Sequence, residues 1–160
     1  MKIKTKIFLD TSVISYLFKP DLPEREAETK ALWEYLIAGK YDIVLSNNVI
    51  DEVSDCPQPK LQKMIDHLAK IEYTVFRVNN EVDEIASEII RLGILKEKNR
   101  IDCNHIACAI ITKCDYLVSW NFDDLANVKT NKGVRAISLL LNKHTIEITS
   151  PFNLKFREEK

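Results

Sequence analysis

A chain of 160 residues, 46% of them hydrophobic, can bury a core of its own and is expected to form one domain over residues 1–160. Its 23 Lys and Arg stand against 24 Asp and Glu, so there is no broad basic field, and a nucleic-acid partner would need a local patch or a bound cation. The four cysteines lack zinc spacing, the apolar run in "MKIKTKIFLD" is too short for a signal peptide, and no segment approaches the roughly 20 apolar residues of a membrane span, which predicts free thiols in a cytoplasmic protein without a membrane. Residues 3–9 read as a strand, and Thr11 or Ser12 caps a helix running to about Phe18 before Pro20. A helix follows in "LPEREAETKALWEYLIAG" with Ala27, Ala31, Leu32, Tyr35 and Leu36 as its buried stripe. "YDIVLS" (41–46) is a strand, "NNVIDEV" a short helix, and "KLQKMIDHLAKI" a helix with Leu61, Met64, Ile65 and Leu68 on one face. "YTVFRV" alternates like a strand, "NEVDEIASEIIRLG" is a helix, and "KEKNR" a polar connector. "IDCNHIACAIITK" is a helix, "DYLVS" a strand, "NFDDLANVKTNKG" an irregular loop, "VRAISLLLNK" a helix, and "TIEITS" (145–150) a last strand.

Strands alternate with helices along the whole chain. That is the signature of an α/β fold with a mainly parallel sheet covered on both faces. Ligands of such sheets bind at the carboxyl ends of the strands, near the point where strand order reverses.

Several polar side chains fall at or near that rim. Asp10 ends the first strand, Glu52 lies in the helical turn after the second, and Asn121, Asp123 and Asp124 follow the fourth. Asp102 opens a helix that feeds the fourth strand, so the strand-end rule does not place it. Singly, each has an ordinary reading: Asp10 as a cap, Glu52 as solvated surface, Asp102 as a first-turn acid favoured by the helix dipole. Gathered together, they pose a charge problem. Each carboxylate pair about 4 Å apart costs roughly 4 kcal/mol at an effective dielectric of 20, and three pairs cost on the order of 12. Protons or a hard cation must neutralise such a cluster, and an oxygen-rich set suits Mg²⁺ or Mn²⁺.

"IFLDTSVISYLF", "SNNVIDEV", "RIDCNHIACAI" and "DYLVSWNFDDLAN" resemble, in order and spacing, the successive acidic motifs of PIN-domain ribonucleases. The tail "IEITSPFNL" resembles the closing strand of that family. The resemblance implies a PIN-like three-layer sandwich around a five-stranded, mainly parallel sheet. It implies Mg²⁺- or Mn²⁺-dependent hydrolysis of RNA, with Asp10, Glu52 and Asp102 matching the three invariant acids and Ser12 a supporting hydroxyl. Ser119 matches the hydroxyl of the fourth motif. Asn121 stands where an Asp is expected, so the metal set becomes Asp10, Asp102, Glu52 and Asn121, with Asp123 as the alternative carboxylate. Small free-standing chains of this kind resemble the toxins of toxin–antitoxin pairs, which implies a cognate antitoxin and a homodimer.

Other features admit more than one use. His105 lies one turn beyond Asp102, as a general base or as a helix histidine beside the site. Trp120 suits stacking on a base or packing at the lip. Lys96, Lys98 and Arg100 suit phosphate contacts or a solvated connector. Asn121 also favours a rival class, a catalytically silent PIN-like module that binds RNA or protein. An aspartyl phosphotransferase is disfavoured, because "LDTSV" lacks a second Asp two residues beyond the first.

Overall fold

In the computed structural model, residues 3–154 are described; residues 1–2 and 155–160 of the expected domain lie outside the described residues. The first strand, β1 (Thr5–Leu9), carries three consecutive side chains with 0% exposure, Ile7, Phe8 and Leu9. Neighbouring strand residues face opposite ways, so this run requires cover on both faces. β1 lies at the centre of a five-stranded sheet. β2 (Tyr41–Ser46) and β4 (Tyr116–Val118) flank it, and β3 (Thr74–Phe76) and β5 (Glu147–Thr149) form the edges. The order β3-β2-β1-β4-β5 is parallel at every pairing, with Ile7 opposite Ile43 and Leu9 opposite Val118. The chain builds outward from β1 to β3, then returns to the other side of β1 for β4. A crevice therefore opens at the carboxyl ends of β1 and β4.

Helices cover both faces of this sheet. α6 (Arg100–Ile111) packs on β1, β2 and β4, with α5 (Asn80–Arg91) against it and α7 (Val128–Leu140) against α5. Its run from Ile106 to Ile110 is entirely buried, which explains why it is apolar all round. A second group contains α1 (Thr11–Ser15), α3 (Asn47–Ser54) and α4 (Lys60–Leu68), and α3 contacts β2. α2 (Pro23–Ile37) is tied to α4 by the Trp33 indole N–H, which donates to the His67 carbonyl at 2.9 Å.

Several expectations change at this level. The sheet is wholly rather than mainly parallel. The buried face of α2 is Thr29, Leu32, Trp33 and Leu36, a stripe rotated from the expected one, and Ala27 is exposed. Trp33 carries more apolar area than the alanines and takes the inside position. Ile65 of α4 is likewise exposed, with Met64 and Leu68 buried. β3 is shorter than "YTVFRV" and lies at the sheet edge, where its residues stay partly solvated.

α7 starts inside the segment expected to be an irregular loop. Asn127 caps it by accepting from the Thr130 backbone N–H at 2.8 Å, and Gly133 is required within it because a Cβ there would lie 2.7 Å from Ile94 Cγ2. "KEKNR" is also ordered: Glu97–Asn99 form a 3₁₀ turn leading directly into α6. The four cysteines are free; burial pushes Cys103 and Cys108 up to about 12 and Cys114 up to about 11, which makes poor nucleophiles of them. No described helix is long and apolar enough to cross a membrane.

Candidate active site

Strand alternation places Asp10 on the same face of β1 as Phe8. The Phe8 ring lies 5.6 Å from the His105 ring of α6, so Asp10 emerges beneath the beginning of that helix. Its backbone N–H donates to Val118 O at 3.2 Å, which ties the strand tip to β4. The side chain is a cap and something more. Oδ1 accepts from the Val13 N–H at 3.3 Å and from Ser12 Oγ at 2.6 Å, and Oδ2 accepts from Ser119 Oγ at 2.5 Å. Asp10 is only 3% exposed. Burial pushes its carboxyl above the ordinary value, against the opposing pull of His105, Ser119, Ser12 and the Val13 amide.

Asp102 reaches the same crevice by a different route. α6 feeds β4 and therefore runs antiparallel to the strands, so its first turn lies at the carboxyl rim of the sheet. The Asp102 carboxyl is pushed up to about 6, first by burial and then by the negative charges of Asp10 and Asp124; His105 and Asn99 act against them. Asn121 Nδ2 donates to Asp102 Oδ2 at 3.4 Å, while Asn121 Oδ1 accepts from the Asp124 backbone N–H at 3.1 Å. A backbone N–H can be met only by the amide oxygen, which fixes the orientation: Asn121 presents a donor to Asp102.

Glu52 stands on α3, with its side chain exposed at the rim. Thr11 Oγ1 donates to its Oε1 at 2.6 Å, and His105 Nε2 lies 3.6 Å from the same oxygen. His105 is the largest influence holding the Glu52 carboxyl below its ordinary value, with partial burial opposing and Thr11 assisting. His105 is 2% exposed and acts on all three acids, and its Nδ1 is buried with no hydrogen-bond partner among the described residues.

Ser12 and Ser119 join the fourth motif to Asp10. Ser12 Oγ accepts from the Trp120 N–H at 2.9 Å, and Ser119 Oγ accepts from the Asn121 N–H at 2.9 Å. Asp10, Ser12, Asp102, His105, Glu52, Ser119 and Asn121 thus form one connected centre. Asp123 is exposed and its carboxylate makes no hydrogen bond among the described residues; Asp124, half-buried, is the acid whose charge reaches Asp102. Thr11 and Asp124 carry parts not assigned to them from the sequence. An Asn followed three residues later by the acid whose N–H it caps was the available signal for Asp124.

Arg100 is not free to grip phosphates: Glu97, Asp83 and Ser87 hold its guanidinium. Lys96 and Lys98, with Lys129, line a pocket of about 180 Å³ that also touches Asp123 and Asp124. Trp120 is buried, and its indole N–H donates to Thr29 Oγ1 at 2.8 Å.

Among the described residues, no three His, Cys, Asp or Glu side chains stand close enough together to form a ready metal shell. The donor chemistry nevertheless fits a hard divalent ion. Asp10 and Asp102 offer oxygen only, and burial together with the charges of Asp10 and Asp124 pushes the Asp102 carboxyl up, which a cation would relieve.

A parallel 3-2-1-4-5 sheet with acids converging at its switch point defines an α/β protein with a carboxylate-rich crevice. The pattern of the PIN domain family matches residues 7–130, and the chain belongs to that family. Solved structures that share the fold include the following two. VapC20 of Mycobacterium tuberculosis, described as a sarcin–ricin loop cleaving toxin, has a TM-score of 0.56 and 21% identity over 73% of this chain and 91% of that one. VapBC2 from Rickettsia felis, bound to a DNA fragment from its promoter, has a TM-score of 0.58 and 15% identity over 91% of this chain and 98% of that one. Among curated proteins, none matches the sequence.

Proposed function

We propose that this chain is a single PIN-like domain over residues 1–160 that acts as a metal-dependent endoribonuclease, with Mg²⁺ or Mn²⁺ as cofactor. We further propose that it is the toxin of a cytoplasmic toxin–antitoxin pair, held by a cognate antitoxin and assembled as a homodimer. The observation that carries the ribonuclease reading is the meeting of Asp10 and Asp102 at the crevice, where each carboxyl is pushed above its ordinary value. Membership of the PIN family and the fold shared with a sarcin–ricin loop cleaving toxin support the substrate class and the toxin role.

Asp10 and Asp102 would hold the ion, with Glu52 and the Asp124 carboxylate nearby. A divalent ion there supplies charge neutralisation and Lewis-acid activation of water and of the phosphoryl oxygen. Ser12 and Ser119 lock the Asp10 rotamer by donating to its two oxygens. Glu52, kept ionised by His105 and Thr11, is the base available to take the proton of the attacking water. Asn121 orients Asp102 through its amide. The purified chain should cleave RNA in Mg²⁺ or Mn²⁺ and stop in EDTA. Asp10→Asn should abolish cleavage while circular dichroism and melting show a folded protein; a variant that cuts like the parent would sink the assignment. Expression should arrest growth, relieved by the neighbouring open reading frame.

One observation favours a second reading, a catalytically silent module that binds RNA or protein: Asn121 replaces an expected acid and presents a donor to Asp102. Such a module would show no Mn²⁺-linked rise in melting temperature, whereas an ion bound only by the folded state must produce one.

A further inference from the structure

Ser12 and Asn121, at the border of the acidic centre, also line a groove of about 340 Å³ with Tyr16, Arg25, Trp120 and Phe122. Its aromatic wall is ordered in advance. Trp120 is anchored through Thr29 and stacks on Tyr16 with ring centroids 5.7 Å apart and planes 12° from parallel. The Phe122 ring meets Trp120 edge-on at 6.0 Å. The Arg25 guanidinium lies over both rings, 5.6 Å from the centroid of Trp120 and 5.1 Å from that of Phe122, and has no carboxylate partner among the described residues. Phe122 is nonetheless 38% exposed, although it sits beside a polar centre.

We propose that this groove is a nucleobase subsite. It takes an unpaired base of an RNA strand, stacked against Phe122 and the Arg25 guanidinium, when the adjoining phosphate lies at Asp10 and Asp102. Trp120 and Tyr16 act as fixed backing and are not themselves the platform, since Trp120 is only 5% exposed. The ligand class follows from the chemistry. Arginine planes and aromatic faces stack on any base, and bases splayed out of single strands present such faces. A guanidinium already held within about 5–6 Å of two ring centroids has less freedom to lose when a base covers it. Asp123 lines the same groove and offers an acceptor to the amino edge of a base. The proposal rests on the ribonuclease reading for its substrate, but its test does not depend on cleavage.

The test uses the full chain carrying Asp10→Asn, in Mg²⁺, with a fluorescein-labelled single-stranded RNA hexamer and the same hexamer made abasic. Anisotropy should show about 10-fold weaker binding of the abasic strand. Phe122→Ala should weaken binding of the base-bearing strand by a similar factor and leave abasic binding unchanged, and Phe122→Trp should restore it. Arg25→Gln provides a second variant should Phe122→Ala lower the melting temperature. Equal affinity for both hexamers, or loss of affinity for both alike in the variants, overturns the subsite. Base-dependent binding by a parent chain that cuts no RNA would leave the subsite standing and remove the nuclease reading alone.

Discussion

The Asn121 side chain turns its amide nitrogen toward Asp102 Oδ2, 3.4 Å away, because its carbonyl oxygen is already occupied by the Asp124 N–H at 3.1 Å. Replacing Asn121 by Asp keeps that acceptor and puts a second oxygen, now charged, beside Asp102. In EDTA the variant should lose on the order of 1–2 kcal/mol, a like-charge cost reduced by solvent at a partly exposed position. Mn²⁺ should then raise its melting temperature more than it raises that of the parent. Urea denaturation in EDTA and melting curves with Mn²⁺ measure the two effects; a smaller Mn²⁺ shift in the variant would mean that position 121 does not face the ion.

The raised carboxyl of Asp102 makes a pH prediction. Its value of about 6 in the folded chain exceeds its ordinary 3.8, so between those values the folded state binds more protons than the unfolded one. For this group, metal-free stability therefore falls as pH rises through that window and is lowest above about 6. Asp102→Asn should stabilise the metal-free protein at pH 7.5 by on the order of 1–2 kcal/mol, discounted for partial exposure, and should have little effect near pH 4. Chemical denaturation at the two pH values decides it, and an equal effect at both would refute the upward push that burial, and then its acidic neighbours, give the Asp102 carboxyl.

How far this centre could be read from the sequence differs residue by residue. The place of Asp10 was legible because the centre of a parallel sheet delivers its strand tip to the switch point, although a cap is an equally ordinary reading of that residue and one it also fulfils. Asp102 escaped the strand-end rule, although a helix feeding a parallel strand must begin at that same rim. Applying the crossover geometry to the helix as well as the strand would have placed it. Asp123 and Asp124 were not distinguishable by spacing alone, because the turn capped by Asn121 decides which acid faces inward. The α2 stripe was misread for a packing reason: period alone left two registers, and the bulk of Trp33 selected the other. α7 was shortened by the polar text around Gly133, whose role is to let Ile94 approach the helix backbone.

Glu52 titrates in the opposite sense to Asp102. Its carboxyl is held below the ordinary 4.5, so it contributes stability that is present above that value and lost as pH falls through the lower folded value. His105 contributes more to this than Thr11 does. His105→Gln should therefore move the Glu52 carboxyl upward, seen as a carbon-13 NMR titration, and Thr11→Val should move it less. A larger shift from Thr11→Val would reverse the assignment of His105 as the main partner of Glu52.

Ser119 is fully buried and serves two groups at once, donating to Asp10 Oδ2 at 2.5 Å and accepting from the Asn121 N–H at 2.9 Å. Ser119→Ala strips a partner from a buried carboxylate and from a backbone N–H, and water has no path to replace a hydroxyl at a position with 0% exposure. The expected loss is about 1.5–3 kcal/mol, the range for hydrogen bonds to charged groups. Ser12→Ala, at a partly exposed position, should cost less, about 1 kcal/mol, since Asp10 Oδ1 keeps the Val13 N–H as a donor. Combining Ser119→Ala with Asp10→Asn should show a coupling of about 1–2 kcal/mol, because a neutral amide loses less than a carboxylate when the hydroxyl goes. Strict additivity in that cycle would mean that Ser119 stabilises the fold without holding Asp10 in place.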